Sequence, residues 1–336
     1  MKKQHDNSWH FQNCLHDLRR GGYVEWKYFN FVTHDFAGIF IYCVFDPSGL
    51  TNISGGRVVA RLFTPKGVRG GVQKIDISDV RPSKDSAVVQ MGNGGIRINR
   101  KNYRIYGKAD GVEWDLQYCP ALQPIRGFSN INLDPIKLEK VSWFIQMPRA
   151  EVSGRIKIGN KNFYLKKVSG YSDANWGLLV PLASQFNWAQ YNDKIISIVF
   201  GEIHVLKKWS GMYVTYKDER IMFGEDEFSI EHLEWKDLPE AKTKIPVVTA
   251  VKGENKDYKI SIVLDTRQFD LLYFGMPLSF PLMPVVAEQV ADFKGEFSRK
   301  EDGGQSVLHS FSGRGFKEYS MRRLSFSKKL KYGIVV

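Results

Sequence analysis

Short apolar or alternating runs, each stopped by Gly, Asn, Asp or Pro, recur along this 336-residue chain and leave room for little but strands. Runs of this kind lie at 38–45, 57–63, 87–91, 96–98, 103–108, 111–118, 141–146, 151–158, 161–168, 188–191, 194–202, 212–216, 258–264 and 305–311. Successive strand side chains point to opposite faces, so a period of two buries one face, whereas a helix needs apolar residues three and four apart. Helical spacing is scarce, and the expectation is an all-β fold. Aromatic residues make up 13% of the chain, an excess that suits pleated, half-buried surfaces. Asp46-Pro47-Ser48-Gly49 and Gly92-Asn93-Gly94-Gly95 supply the preset and positive-φ positions of tight reversals, and predict hairpins. No GxGxxG or GK[ST] pattern follows the second of these, which argues against a phosphate loop.

The length suggests two domains, because single cores stop growing beyond about 250–300 residues. The most plausible junction is near 178–186, which gives domains 1–182 and 183–336; the polar stretch 235–244 reads as a loop or short helix within the second. The net charge of +12 is spread through strand-like segments, with local density only at Lys328, Lys329 and Lys331. This argues against a nucleic-acid partner and leaves transient contact with a membrane surface open. Cys14, Cys43 and Cys119 are odd in number and lack CxxC spacing, so neither a disulfide framework nor a zinc site is indicated. The His residues are dispersed without HExxH spacing, no GxSxG elbow occurs, and no metal is expected. The start, Met-Lys-Lys-Gln-His-Asp, leads into no apolar h-region, which predicts a cytoplasmic chain.

Three local patterns remain. Glu25-Trp26-Lys27-Tyr28-Phe29 follows Gly21-Gly22-Tyr23; Gly170-Tyr171-Ser172-Asp173-Ala174-Asn175-Trp176-Gly177 is followed by Phe186-Asn187-Trp188-Ala189-Gln190; Gly313-Arg314-Gly315-Phe316-Lys317-Glu318-Tyr319 lies near the end. In this order they resemble the lipocalin-like superfamily of carotenoid hydratases, tocopherol cyclases and fungal Diels–Alderases. The first resembles the superfamily's Glu-Trp-Trp-Tyr-Phe, departing at Lys27; the second, its Tyr-x-Asp-x-Asn-Trp-Gly turn and aromatic-x-Trp strand, is the most specific. The resemblance implies two consecutive lipocalin-like antiparallel β-barrels or half-barrels with an apolar pocket and no metal or organic cofactor. Its members cyclise, hydrate or fold isoprenoid and polyene chains, and others are stress or binding proteins, so it bears on fold more than on reaction.

The residues themselves suggest an acid site. In extended geometry Tyr171, Asp173 and Asn175 share a face, with Trp176 on the other, if the segment leaves a strand into a tight turn. Desolvation in an aromatic pocket would raise the proton affinity of Asp173 and let it protonate an alkene or epoxide, while Trp176 and Trp188 face a developing carbocation. The competing reading is local, since Asp and Asn at turns bond their own backbone. Glu25 is a second acid candidate, sharing a face with Tyr23 and Lys27 in either a lumen-facing or an exposed ion pair. Trp26, Tyr28, Phe186, Gln190, Glu318 and Tyr319 complete the expected pocket. The expected activity is a cofactor-independent cyclase or isomerase of an apolar isoprenoid or polyene; the alternatives are a hydrophobic-ligand carrier or stress-related binding protein, and a hydratase of an isoprenoid double bond.

Overall fold

The structure, a computed structural model, describes residues 22–49, 54–82, 89–99, 102–132, 140–178, 185–204, 208–239, 243–274, 282–324 and 334–335. Cys14, the 328–331 basic cluster and the predicted 182/183 junction lie outside them. Apart from short 3-10 turns such as Ile77–Asp79, every regular element described is a strand, and none is a helix long and apolar enough to cross a membrane. The chain divides into two units, residues 1–31 with 36–181, and 32–35 with 182–336.

The first unit is a 13-stranded sheet. Its main path runs Gly67–Arg69, Gly55–Thr64, Ala37–Phe45, Tyr23–Val32, Lys161–Leu178, Lys140–Ile158, Val112–Pro120, Asn102–Ala109, Gly94–Asn99, Val89–Met91, Val80–Pro82. Val58, Ala60 and Leu62, near one end of that order, share an apolar cluster with Val89, Met91 and Ile96 from the other, so the sheet curls around one core. Across this core the Trp114 indole donates to the Tyr42 hydroxyl at 2.9 Å, and that hydroxyl donates to the Tyr106 carbonyl at 3.0 Å. Two buried polar groups are thereby satisfied among aromatic rings.

The second unit is a 10-stranded sheet ordered Glu219–Phe223, Lys208–Tyr216, Ile196–His204, Gln185–Asn192, Gly304–Leu324, Leu282–Glu301, Tyr258–Tyr273, Thr243–Glu254, Phe228–Leu238. It repeats the logic of the first. In each unit an opening meander of four strands comes first, and the last long strand pairs beside the opening one. No sequence repeat announces this, because the shared property is a pairing order.

Several elements are longer than the sequence predicts. The runs at 141–146 and 151–158 belong to one 19-residue strand, Lys140–Ile158. Pro148 sits at a register irregularity between Met147 and Ala150, where its missing N–H costs the ladder little. The expected turn after Val168 is also absent: Lys161–Leu178 is one 18-residue strand that carries the whole Gly170–Gly177 pattern inside the sheet. The stretch expected as a loop or short helix at 235–244 instead continues the Phe228–Leu238 strand and re-enters another at Thr243. The hairpin at Gly92-Asn93 is present, with Met91 paired to Gly94 and Gly92 at φ 55°.

Gly315 shows why the closing strand pair of the second unit needs glycine. A Cβ there would collide with the Gln190 carbonyl and come within 2.7 Å of the Phe293 ring. Gly315→Ala is expected to cost about 1–3 kcal/mol by overpacking, read as a lower midpoint in thermal unfolding. An unchanged midpoint would show that the two strands can spread at no cost.

Candidate functional site

The sequence patterns converge at the closing strand pairs. Residues 25–29 lie on Tyr23–Val32 and residues 170–177 on Lys161–Leu178, which are hydrogen-bonded neighbours. Residues 186–190 and 313–319 are likewise paired in the second unit, with Asn187 opposite Tyr319, Trp188 opposite Glu318 and Ala189 opposite Lys317.

Asp173 is the centre of the first group. Its Oδ2 accepts from the Tyr171 hydroxyl at 2.8 Å and from the Trp143 indole at 2.8 Å, and its Oδ1 accepts from the Asn175 amide at 3.3 Å. Tyr171 meets the Tyr28 ring edge-on at 6.4 Å, so these side chains share the face opposite Phe29, which packs into the barrel core. Tyr28, Tyr171, Trp143 and Asp173 are all buried there, while Trp26, Asn175 and Trp176 are half-buried. The predicted common face of Tyr171, Asp173 and Asn175 is therefore present, on a continuous strand and not at a turn. Trp143 is the partner the sequence does not reveal, since it comes from the neighbouring strand, 30 residues away.

Burial pushes the Asp173 carboxyl up to about 7, against the Trp143 and Tyr171 hydrogen bonds, which favour the carboxylate. A carboxyl that binds its proton more tightly in the native than in the unfolded chain contributes most stability below about pH 4 and loses that contribution as pH rises through 7. Tyr171→Phe removes one donor to the anion, so the Asp173 titration midpoint is expected to move up by about one pH unit. Carbon-13 NMR of labelled Asp carboxyls reads this without any substrate; an unmoved midpoint would mean the hydroxyl does not govern the acid.

Glu25 lies on the opposite face of its strand. Its Oε2 accepts from the Tyr23 hydroxyl at 2.7 Å and its Oε1 lies 3.2 Å from Lys27 Nζ, with both charged side chains buried. Of the two arrangements open from sequence, the exposed pair is the wrong one. Alternation places Glu25 and Lys27 with Phe29 and Phe31, on the side of the barrel core. Nearby strands add Ser172, which donates to Gln146 at 3.1 Å, both buried. Asp173 and Glu25 are thus on opposite faces and do not form one acid pair.

The second unit separates its candidates in the same way. Trp188, Gln190 and Glu318 share one face and Tyr319 the other, because pairing is Trp188 to Glu318 and Asn187 to Tyr319. Trp188 and Gln190 are buried, while Phe186, Glu318 and Tyr319 are half-buried. Gln190 accepts from Asn192 at 3.1 Å. Tyr319 joins His232 and Trp235 in an edge-to-face trio with centroids 5.5 and 5.6 Å away.

A depression of about 850 Å³ crosses the solvent face of the first sheet, lined by Arg97, Arg104, Asp115, Arg155, Tyr164 and Lys166 among others. It contains none of the predicted site residues. Among the described residues no three His, Cys, Asp or Glu side chains gather as a metal site.

No family model and no curated sequence matches the chain. Its architecture is that of the lipocalin-like β proteins, with two antiparallel sheets, the first curled around its own core. It is similar to a Nitrosomonas europaea protein assigned as AttH, at 13% identity over 88% of this chain and 92% of that one, with a TM-score of 0.61. Kievitone hydratase from Nectria haematococca matches at 15% identity over 89% and 88%, TM-score 0.58. CghA with Sch210972 matches at 12% identity over 89% and 88%, also with a TM-score of 0.58. At such identities the likeness establishes the fold and nothing finer.

Proposed function

We propose that the protein is a cofactor-independent cyclase or isomerase of an apolar isoprenoid or polyene, with Asp173 as the proton donor. The observation that carries this reading is a buried carboxyl held near 7 among Tyr28, Trp143 and Tyr171. Oδ2 already accepts two hydrogen bonds, so the acid proton resides on Oδ1, beside the longer Asn175 contact. Protonation of an alkene or epoxide leaves a carboxylate, which the Tyr171 and Trp143 donors stabilise at no reorganisation cost. Tyr28 and the half-buried Trp26 supply π faces for positive charge developing along the chain. Folding the substrate into a reactive conformer supplies the remaining acceleration.

A hydratase differs only in the last step, in which water captures the cation. Kievitone hydratase, which shares the fold, favours keeping it as a second reading. Product formed in oxygen-18 water separates the two, since only hydration adds the label.

Native mass spectrometry of the protein purified from its own host, with extraction and identification of bound lipid, is the direct test. A stoichiometric isoprenoid or polyene is the expected result. Retention of polar molecules alone would overturn the substrate assignment.

A further inference from the structure

The interior face of the second unit holds a buried lysine, Lys317, with no carboxylate within ion-pair distance among the described residues. Gly315, Lys317, Tyr319 and Met321 share that face; Gly315 packs on Phe293 of one apolar cluster, and Met321 belongs to another with Leu238, Ile245 and Tyr273. Lys317 lies between them, 4% exposed. Its Nζ donates to the Pro246 carbonyl at 3.1 Å, the Val247 carbonyl at 3.2 Å and the Thr249 hydroxyl at 3.3 Å, and it pairs with no carboxylate among the described residues. Burying an ammonium without a counter-ion is costly, and the group responds by giving up its proton. Burial brings the Lys317 amine down to about 7, with Asp265 opposing, so a large neutral fraction exists at neutral pH.

Thr249 links this amine to a second group. The His232 Nδ1 lies 3.2 Å from the same hydroxyl, and the His232 ring stands edge-on to Trp235 and Tyr319 at 5.2 and 5.5 Å. Burial and the Lys317 charge bring His232 down to about 4, with Glu202 opposing, so its imidazole is neutral near pH 7 and free to relay a proton. Trp235 is 38% exposed and His232 and Tyr319 are half-buried, so the side of the amine that carries this trio is nearer to solvent than the apolar clusters are.

We propose that Lys317 is an imine-forming amine for an apolar aldehyde, whose hydrocarbon part lies against the apolar clusters on either side. The site belongs to the second unit, and imine formation there does not depend on Asp173. In the step, the Nζ lone pair attacks the carbonyl carbon and the C=O π pair moves to oxygen. Through Thr249 and His232 one proton passes from nitrogen to the alkoxide, which gives the carbinolamine, and a second passes from nitrogen to its hydroxyl. Loss of one water leaves the C=N bond, so atoms and charge balance without an oxidant. Aldehydes are favoured over ketones because a second carbon substituent crowds the enclosed amine.

Reductive trapping tests this on the full chain. The protein is incubated near neutral pH with citral, an isoprenoid aldehyde, and sodium cyanoborohydride, which supplies hydride to the iminium carbon. Intact-mass and peptide mapping are expected to show one equivalent at Lys317, forming at least about tenfold faster than at exposed lysines, whose amines stay protonated up to about pH 10. The rate at Lys317 should climb through pH 7 and level off above it. Lys317→Arg should remove the adduct, and the wild-type map decides the matter even if that variant does not fold. Labelling spread over exposed lysines, or none at Lys317, would overturn the proposal and leave the amine as a structural donor to its three acceptors.

Discussion

Asp173→Asn is expected to lower turnover on linear isoprenoids and polyenes by about 10²–10⁴-fold, the usual contribution of a positioned general acid. Ligand affinity should stay within about twofold, since the amide keeps the shape and can still accept from Tyr171 and Trp143. Steady-state assay and ligand titration on the same preparation separate the two quantities. Loss of both together, with a collapsed melting transition, would mark Asp173 as a structural hub of its strand pair. Turnover equal to wild type would remove proton donation from the mechanism and leave only conformational folding of the substrate. The acid must carry its proton to act, so wild-type activity should fall as pH rises through about 7. Asp173→Asn should show no such limb in its residual activity.

Lys27→Met is expected to destabilise the first unit by about 3–5 kcal/mol, because it takes the ammonium at 3.2 Å away from a Glu25 carboxylate that stays buried beside the Tyr23 hydroxyl. The double variant Glu25→Gln with Lys27→Met should recover to within about 1 kcal/mol of wild type, since replacing both members of a buried pair removes the uncompensated charge. Urea denaturation of the single and double variants closes the cycle. A single variant as stable as wild type would mean that water reaches Glu25. That outcome would reopen Glu25 as a pocket acid, whereas a full cycle assigns it to holding the strand.

Much of this was legible because β-structure has a period of two. Tyr171, Asp173 and Asn175 stand on one face by simple alternation, and Glu25 with Lys27 follows from the same rule. Trp143 was not legible. Its place opposite Asn175 depends on the register of a long hairpin whose strand is irregular between Ile145 and Ala150, and no local signal counts those irregularities. The single long strand at Lys161–Leu178 was missed for a related reason. Gly170 and Asn175 read as turn formers, yet Gly170 is glycine because a Cβ there would collide with Val152 and come within 2.9 Å of the Asn30 carbonyl. His232 lay outside every recognised pattern and Lys317 sat inside one without being singled out, and it is the shared Thr249 hydroxyl that joins them.

By itself the sequence determined that the chain is made of strands, where its hairpins turn, and which side chains of a strand share a face. These are consequences of backbone geometry and nearest neighbours. Only the tertiary structure decided which strands pair first with last in each unit, that both faces of Tyr23–Val32 are buried, and that Glu25, Asp173 and Lys317 are enclosed. The reason is physical: the protonation of a carboxyl or amine follows from how completely water is excluded, and that exclusion is the work of residues far away in the chain.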